Sequence, residues 1–125
     1  MIKKRKIGKT DLEVSELSMG TAPLGGWPIE TNDKKAYETI STAWDKGIRY
    51  FDTAPLYGSG MAEERLGNFL KDKKREDFSI ATKVGRLVVH SETGSKKFKG
   101  QDPKKDTQFD FSYDGTMRSF EESLK

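Results

Sequence analysis

The chain has 125 residues, enough for one ordinary domain with a modest core. Its net charge of +3 is slight, and its lysines are scattered or face acids rather than clustering with aromatics, which argues against nucleic-acid binding. The absence of cysteine excludes disulfides, thiol catalysis and Cys-based zinc sites, and the sequence suggests no metal site.

Hydrophobic residues are 33% and charged residues 34%, but two polar stretches, "KDKKRED" and "HSETGSKKFKGQDPKKDTQ", account for the low apolar share. Elsewhere the apolar periodicity is that of an ordered chain. The basic start "MIKKRKIGK" has no apolar run behind it, and no window approaches a membrane span. The expected setting is the cytoplasm, with no membrane partner.

Two short β patterns come first, "KKRKIG" and "DLEVSEL", spaced for a hairpin with Gly8 near the turn. "LSMG" reads as a brief strand ending at Gly20. The loop "TAPLGGWPIETND" has too much Pro and Gly for extended regular structure. A helix follows, capped by Asn32 or Asp33, with Ala36, Tyr37, Ile40, Ala43 and Trp44 at helical spacing and Gly47 as its left-handed end. "IRYFDT" reads as a strand. The loop "APLYGSG" leads to a second helix, roughly 62–71, with Leu66, Phe69 and Leu70 inward. "DFSIATKV" is the next strand.

Residues from about 86 to 111 form a polar insertion with two readings, a hairpin over the active-site mouth or a disordered segment. Phe98, Phe109 and Phe111 are its candidate anchors. Then "SYDGTMRSFEESLK" starts a helix, capped by Ser112 or Asp114, with Met117, Phe120 and Leu124 on one face. The segments are thus a hairpin at 1–16, βα units at 17–85, the insertion at 86–111 and a helix from 112 onward. Alternating strands and helices predict βα units on a parallel sheet. The last residues lie inside a helical pattern without a stop signal, which is expected of a shortened chain, whether natural, an incorrect gene model or a cut product.

In parallel α/β sheets and barrels, chemistry collects at the carboxyl ends of the strands. Gly20-Thr21, Asp52 and Lys83 stand at three such ends, and Tyr57 follows Asp52 in the loop on the same side. A phenol is too weak an acid to donate readily at neutral pH. A neighbouring ammonium stabilises the phenolate, and a carboxylate holds the ammonium in place. Asp52, Lys83 and Tyr57 together would make a general acid for a carbonyl oxygen while hydride arrives at carbon, or the reverse. The hydride must come from a cofactor, because no side chain supplies one. Singly, each residue has an ordinary structural explanation: a capping Asp, a packing Tyr, a solvated Lys.

"LSMGTAPLGG", "GIRYFDTAPLYGSGMAEERLGNFL" and "IATKVGR" resemble the aldo-keto reductase family over nearly the whole chain outside the insertion. "FDFSYDGTMRSFEESL" is similar to the branch that oxidises free sugars and related small alcohols, with the fucose, threo-aldose and pyridoxal dehydrogenases. The resemblance implies a (β/α)8 TIM barrel that binds NAD or NADP across its C-terminal face. A full barrel takes about 250 residues, so this chain would hold about three βα units and the start of a fourth helix. By the same resemblance Tyr57 is the acid–base group, and Asp52 and Lys83 are its supporting pair. Gly20, Thr21 and Ala22 lie beside the cofactor's nicotinamide and ribose, which Asp52 also approaches. Glu63 or Glu64 with Leu66 and Gly67 matches the helix after the tyrosine loop, where the glycine is expected to allow close packing.

The family's fourth catalytic group, a histidine, has no counterpart here. His90 lies in the insertion and reads as a surface residue. The echo of a dinucleotide fingerprint in "GSGMAE" lacks the third glycine and the preceding strand. The implied activity interconverts a small sugar-like alcohol or hemiacetal and its carbonyl or lactone product. The isolated chain is expected to be inactive. The alternative is a non-catalytic partial barrel that self-associates through its open strand edge.

Overall fold

The computed structural model describes residues 2–93 and 97–125, so residues 94–96 of the predicted insertion lie outside the described residues. Strands β1 (Lys4–Lys6) and β2 (Glu13–Ser15) form the expected antiparallel hairpin. Gly8 sits in its turn, and an Arg5–Glu16 ion pair crosses it. Strand β3 (Met19–Gly20) opens the main sheet and leads into a short 3₁₀ turn at Ala22–Gly25.

Helix α1 (Asp33–Asp45) begins where Asn32 accepts a hydrogen bond from the Lys35 N–H at 2.8 Å. That satisfies one of the amide donors a helix start leaves free. The helix ends at Gly47, whose φ of +93° is the left-handed turn the sequence predicts. Ala36 and Ile40 are fully buried on its inner face, whereas Tyr37 at the edge of the stripe is exposed.

Strand β4 (Tyr50–Asp52), helix α2 (Met61–Leu70) and strand β5 (Ser79–Ala81) complete the predicted alternation. The three strands pair in parallel in the order β3-β4-β5. Phe51, in the middle strand, is fully buried against Leu24, Ile40, Leu66 and Phe69. This core ties the outer helices to the sheet and fixes where the strand ends point. Arg65 of α2 adds a polar clamp, donating to Asp33 at the start of α1 and to the carbonyl of Leu24 in the 3₁₀ turn. Among the described residues a Cβ at Gly67 would meet nothing within 4 Å, so no close approach expected of it is seen there.

The insertion is ordered where it is described. Strands β6 (Arg86–His90) and β7 (Lys105–Phe109) form a five-pair antiparallel ladder. The Arg86 guanidinium lies 3.8 Å over the Phe109 ring, and Phe109 stacks on Phe111 with centroids 5.4 Å apart. The edge of Phe98 meets Trp27 at 6.4 Å between centroids. The three predicted anchors therefore all make ring contacts, although Phe109 and Phe111 remain exposed.

Helix α3 (Tyr113–Ser123) is capped by Ser112, which accepts from the Gly115 N–H at 3.0 Å. Met117, Phe120 and Leu124 are exposed, and the buried positions are Gly115 and Ser119. The helix meets β6 at Ser119, whose hydroxyl donates to the Arg86 carbonyl at 3.0 Å, while Gly115 faces the Asp110 side chain. A hydroxyl that finds a backbone acceptor is cheap to bury and lets the backbones approach. No helix among the described residues is long and apolar enough to cross a membrane.

Candidate active site

The sheet register aligns the strand ends. Gly20 pairs with Asp52, and Asp52 pairs with Ala81. The last residues of β3 and β4 therefore stand side by side. Lys83 stands two residues beyond the end of β5 rather than on it, so its side chain reaches back across the rim. Lys83 Nζ donates to Asp52 Oδ1 at 2.7 Å and to the Thr53 carbonyl at 3.0 Å. The same nitrogen lies 5.0 Å from the centroid of the Tyr57 ring. Three residues separated in sequence thus meet at one edge of the sheet.

Electrostatics follow from that meeting. The strongest single influence on the Lys83 ammonium is burial, which works against its charge. The hydrogen bond and charge of Asp52, with the nearby Tyr57 side chain, outweigh burial and hold the ammonium above the ordinary lysine range. Both side chains remain about half exposed, at 49% for Lys83 and 42% for Asp52, so the ion pair is open to solvent on one side. A partly solvated pair adds little stability. Its use lies in keeping a positive charge beside the phenol.

Tyr57 is placed by backbone. Its N–H donates to the Ala54 carbonyl at 3.1 Å, and its own carbonyl accepts from the Ala62 N–H at 3.1 Å, in the first turn of α2. The ring packs half-buried against the core. Gly25, in the 3₁₀ turn, faces the Tyr57 peptide so closely that a Cβ would lie 2.5 Å from the Tyr57 carbonyl carbon. Glycine is the residue that permits this approach.

The residues expected beside a cofactor divide into two kinds. Gly20 is exposed, and a Cβ there would meet nothing within 4 Å, so the space above the end of β3 is open. Ala22 is half-buried next to it. Thr21 is fully buried. Its hydroxyl donates to the Asp52 carbonyl at 3.0 Å, and its N–H donates to the same oxygen at 2.9 Å. Its contribution in this structure is to fix the end of β4. Thr53, next to Asp52, has a buried hydroxyl without a hydrogen-bond partner among the described residues. Lys83 engages one Asp52 oxygen. An open glycine floor and a half-exposed carboxylate at one rim fit a ligand rich in hydroxyl groups, as the ribose of a nicotinamide dinucleotide is.

Glu63 buttresses the rim, accepting a 2.6 Å hydrogen bond from the Thr82 hydroxyl just before Lys83. Glu64 faces Lys105 of β7 at 4.0 Å. His90 is exposed and lies 2.8 Å from Glu92, outside this site. No group of three or more His, Cys, Asp or Glu residues suited to a metal ion occurs among the described residues.

Two residues of this region escape sequence reasoning. Ser59 and Gln101 are both buried and hydrogen-bond to each other at 3.2 Å, joining the tyrosine loop to the insertion. Ser59 sits between two glycines in a stretch that reads as a flexible loop. Gln101 lies in a polar run without periodicity, so neither carries a local signal.

A family model described as "Aldo/keto reductase family" matches residues 16–125. Pyridoxal 4-dehydrogenase of Microbacterium luteolum is 42% identical over 132 aligned positions, covering 96% of this chain and 38% of the relative. D-threo-aldose 1-dehydrogenase of a Pseudomonas species is 46% identical over 77 positions, covering 62% of this chain and 23% of the relative. Among solved structures, an aldo-keto reductase from Bacillus halodurans in its holo form superposes with a TM-score of 0.75 at 33% identity. That match covers 99% of this chain and 36% of the other. The chain thus spans less than two fifths of the length of these relatives.

Proposed function

The chain belongs to the aldo/keto reductase family, and from that premise we propose that the protein carrying it is an NAD(P)-dependent oxidoreductase of small alcohols and carbonyls. The substrate class we favour is a sugar-like alcohol or hemiacetal, converted to its carbonyl or lactone product. This rests on the similarity to a threo-aldose dehydrogenase and a pyridoxal dehydrogenase. The observation that carries the reading is Lys83 Nζ, 2.7 Å from the Asp52 carboxylate and 5.0 Å from the centre of the Tyr57 ring.

In this reading the bound dinucleotide supplies or accepts the hydride. Tyr57 moves the accompanying proton at its phenolic oxygen, to the carbonyl oxygen in reduction and from the alcohol in oxidation. Lys83 offsets the negative charge that develops on that oxygen. Asp52 keeps Lys83 charged and aimed inward. Gly20, Ala22 and Asp52 would hold the cofactor, with Gly20 leaving room and Asp52 offering an oxygen to a ribose hydroxyl, while buried Thr21 fixes the Asp52 backbone from below. No residue at this rim favours NADP over NAD.

The test is turnover of nicotinamide absorbance with small aldoses and their alcohols, with each dinucleotide. Tyr57→Phe should lower the rate by roughly 10²–10⁴-fold, the usual worth of a positioned acid–base group. Unchanged turnover in that variant would remove Tyr57 from the chemistry. By themselves the 125 residues contain three of the four catalytic groups that the family resemblance implies, which supports no turnover from them alone. A second reading, self-association through a sheet edge, is favoured by β3, which stands at the edge of the three-stranded parallel sheet and pairs on one side only among the described residues. A monomer by size-exclusion chromatography at high concentration would refute it.

A further inference from the structure

We propose that Gln101, in the connection between β6 and β7, is a positioning residue for Tyr57 and acts through Ser59. The side chain is more than nine-tenths buried, and both ends of its amide are engaged. Nε2 donates to Ser59 Oγ at 3.2 Å and to the Lys105 carbonyl at 2.9 Å, and Oε1 accepts from the Phe98 N–H at 3.1 Å. An amide held at three points in a buried site is rigid, because any movement leaves a polar group unsatisfied.

What it holds is the strained part of the tyrosine loop. Among the described residues Ser59 is the only non-glycine with positive φ, at +52°. A left-handed conformation at a serine costs free energy and persists only where the surroundings impose it. Ser59 is two residues from Tyr57, and its N–H donates to the Leu56 carbonyl at 3.1 Å, closing the turn that contains Tyr57. The insertion is also fastened on the opposite side. The Lys99 N–H donates to the Gly26 carbonyl at 3.2 Å, adjacent to the Gly25 backbone that abuts Tyr57. The Tyr57 peptide is therefore gripped between Gly25 on one side and Ser59–Gln101 on the other. The polar insertion, which supplies none of the three grouped side chains, sets the position of the phenol relative to Lys83.

The importance of this lock for catalysis rests on the acid–base reading of Tyr57, but the lock is measurable without turnover. The chain is labelled with 3-fluorotyrosine, giving four resonances from Tyr37, Tyr50, Tyr57 and Tyr113. Tyr57→Phe identifies the Tyr57 signal. Lys83→Met should shift it in the otherwise native chain, since the ammonium lies against that ring. Gln101→Leu should move or broaden the Tyr57 signal, leave the other three in place, and remove most of its response to Lys83→Met. Ser59→Ala deletes the same bond from the other partner and should reproduce the effect if Gln101→Leu fails to fold. The inference is overturned if Ser59→Ala leaves the Tyr57 signal and its response to Lys83→Met unchanged, or if it displaces all four signals together. Loss of turnover with an intact lock would count against the function and not against the lock.

Discussion

Gly25→Ala should be among the most damaging single-methyl changes in this chain. The added carbon would lie 2.5 Å from the Tyr57 carbonyl carbon, 2.7 Å from the Gly58 nitrogen and 2.8 Å from the Tyr57 oxygen. Non-bonded carbon contacts settle near about 3.5–4.0 Å. The tyrosine loop must therefore retreat by roughly 1 Å, and no side-chain rotation relieves the clash because all three atoms are backbone. Overpacking of this kind costs about 1–3 kcal/mol. With a urea m-value of about 1–3 kcal/mol per molar, the unfolding midpoint should fall by about 1 M. The assay is urea denaturation followed by far-ultraviolet circular dichroism, paired with the fluorotyrosine signal of Tyr57. A retreat of 1 Å also matters for chemistry, since a displacement of that size can cost about 10²-fold in rate. An unchanged midpoint together with an unchanged Tyr57 signal would show that the grip on Tyr57 is illusory.

Other consequences are more conventional. Phe51→Ala empties the centre of the core beneath the strand ends and should cost about 3–5 kcal/mol by equilibrium unfolding. A cost below about 1 kcal/mol would contradict that packing. Asn32→Ala removes the cap of α1 and should destabilise by about 1 kcal/mol, while Asn32→Asp should be nearly neutral. The raised pKa of Lys83 gives its pairing a defined pH signature. The contribution of the Lys83 charge is complete below the ordinary lysine pKa and is lost as pH rises through the higher folded value, so alkali weakens the pairing. Stability curves of the native chain and Lys83→Met should therefore converge at high pH. A gap that persists there would assign the difference to packing.

The main elements were legible because their signals are local. Asn32 and Ser112 cap the helices they precede, Gly47 ends the first, and the alternation of strands with amphipathic helices specified the parallel sheet. The meeting of Asp52 and Lys83 was legible because strand ends in such sheets share a rim. What was not legible depended on contacts between distant segments. The β6–β7 ladder is the hairpin that was one of two readings of the insertion, but its fastening to the tyrosine loop through Gln101 and Ser59 carried no local signal. The stripe of Met117, Phe120 and Leu124 has ordinary helical spacing, but the contact of Ser119 with the Arg86 carbonyl of β6 joins segments distant in sequence and carries no local signal. Gly67 shows the converse, a glycine inside a specific motif with no close neighbour among the described residues to account for it.

Titrating the Lys83 side-chain nitrogen by nuclear magnetic resonance, in the native chain and in Asp52→Asn and Tyr57→Phe, addresses the shared ammonium itself. The account predicts a value above that of an ordinary lysine, falling in each variant and falling further when the carboxylate is removed. An ordinary value that neither substitution moves would mean that carboxylate and phenol do not share that charge.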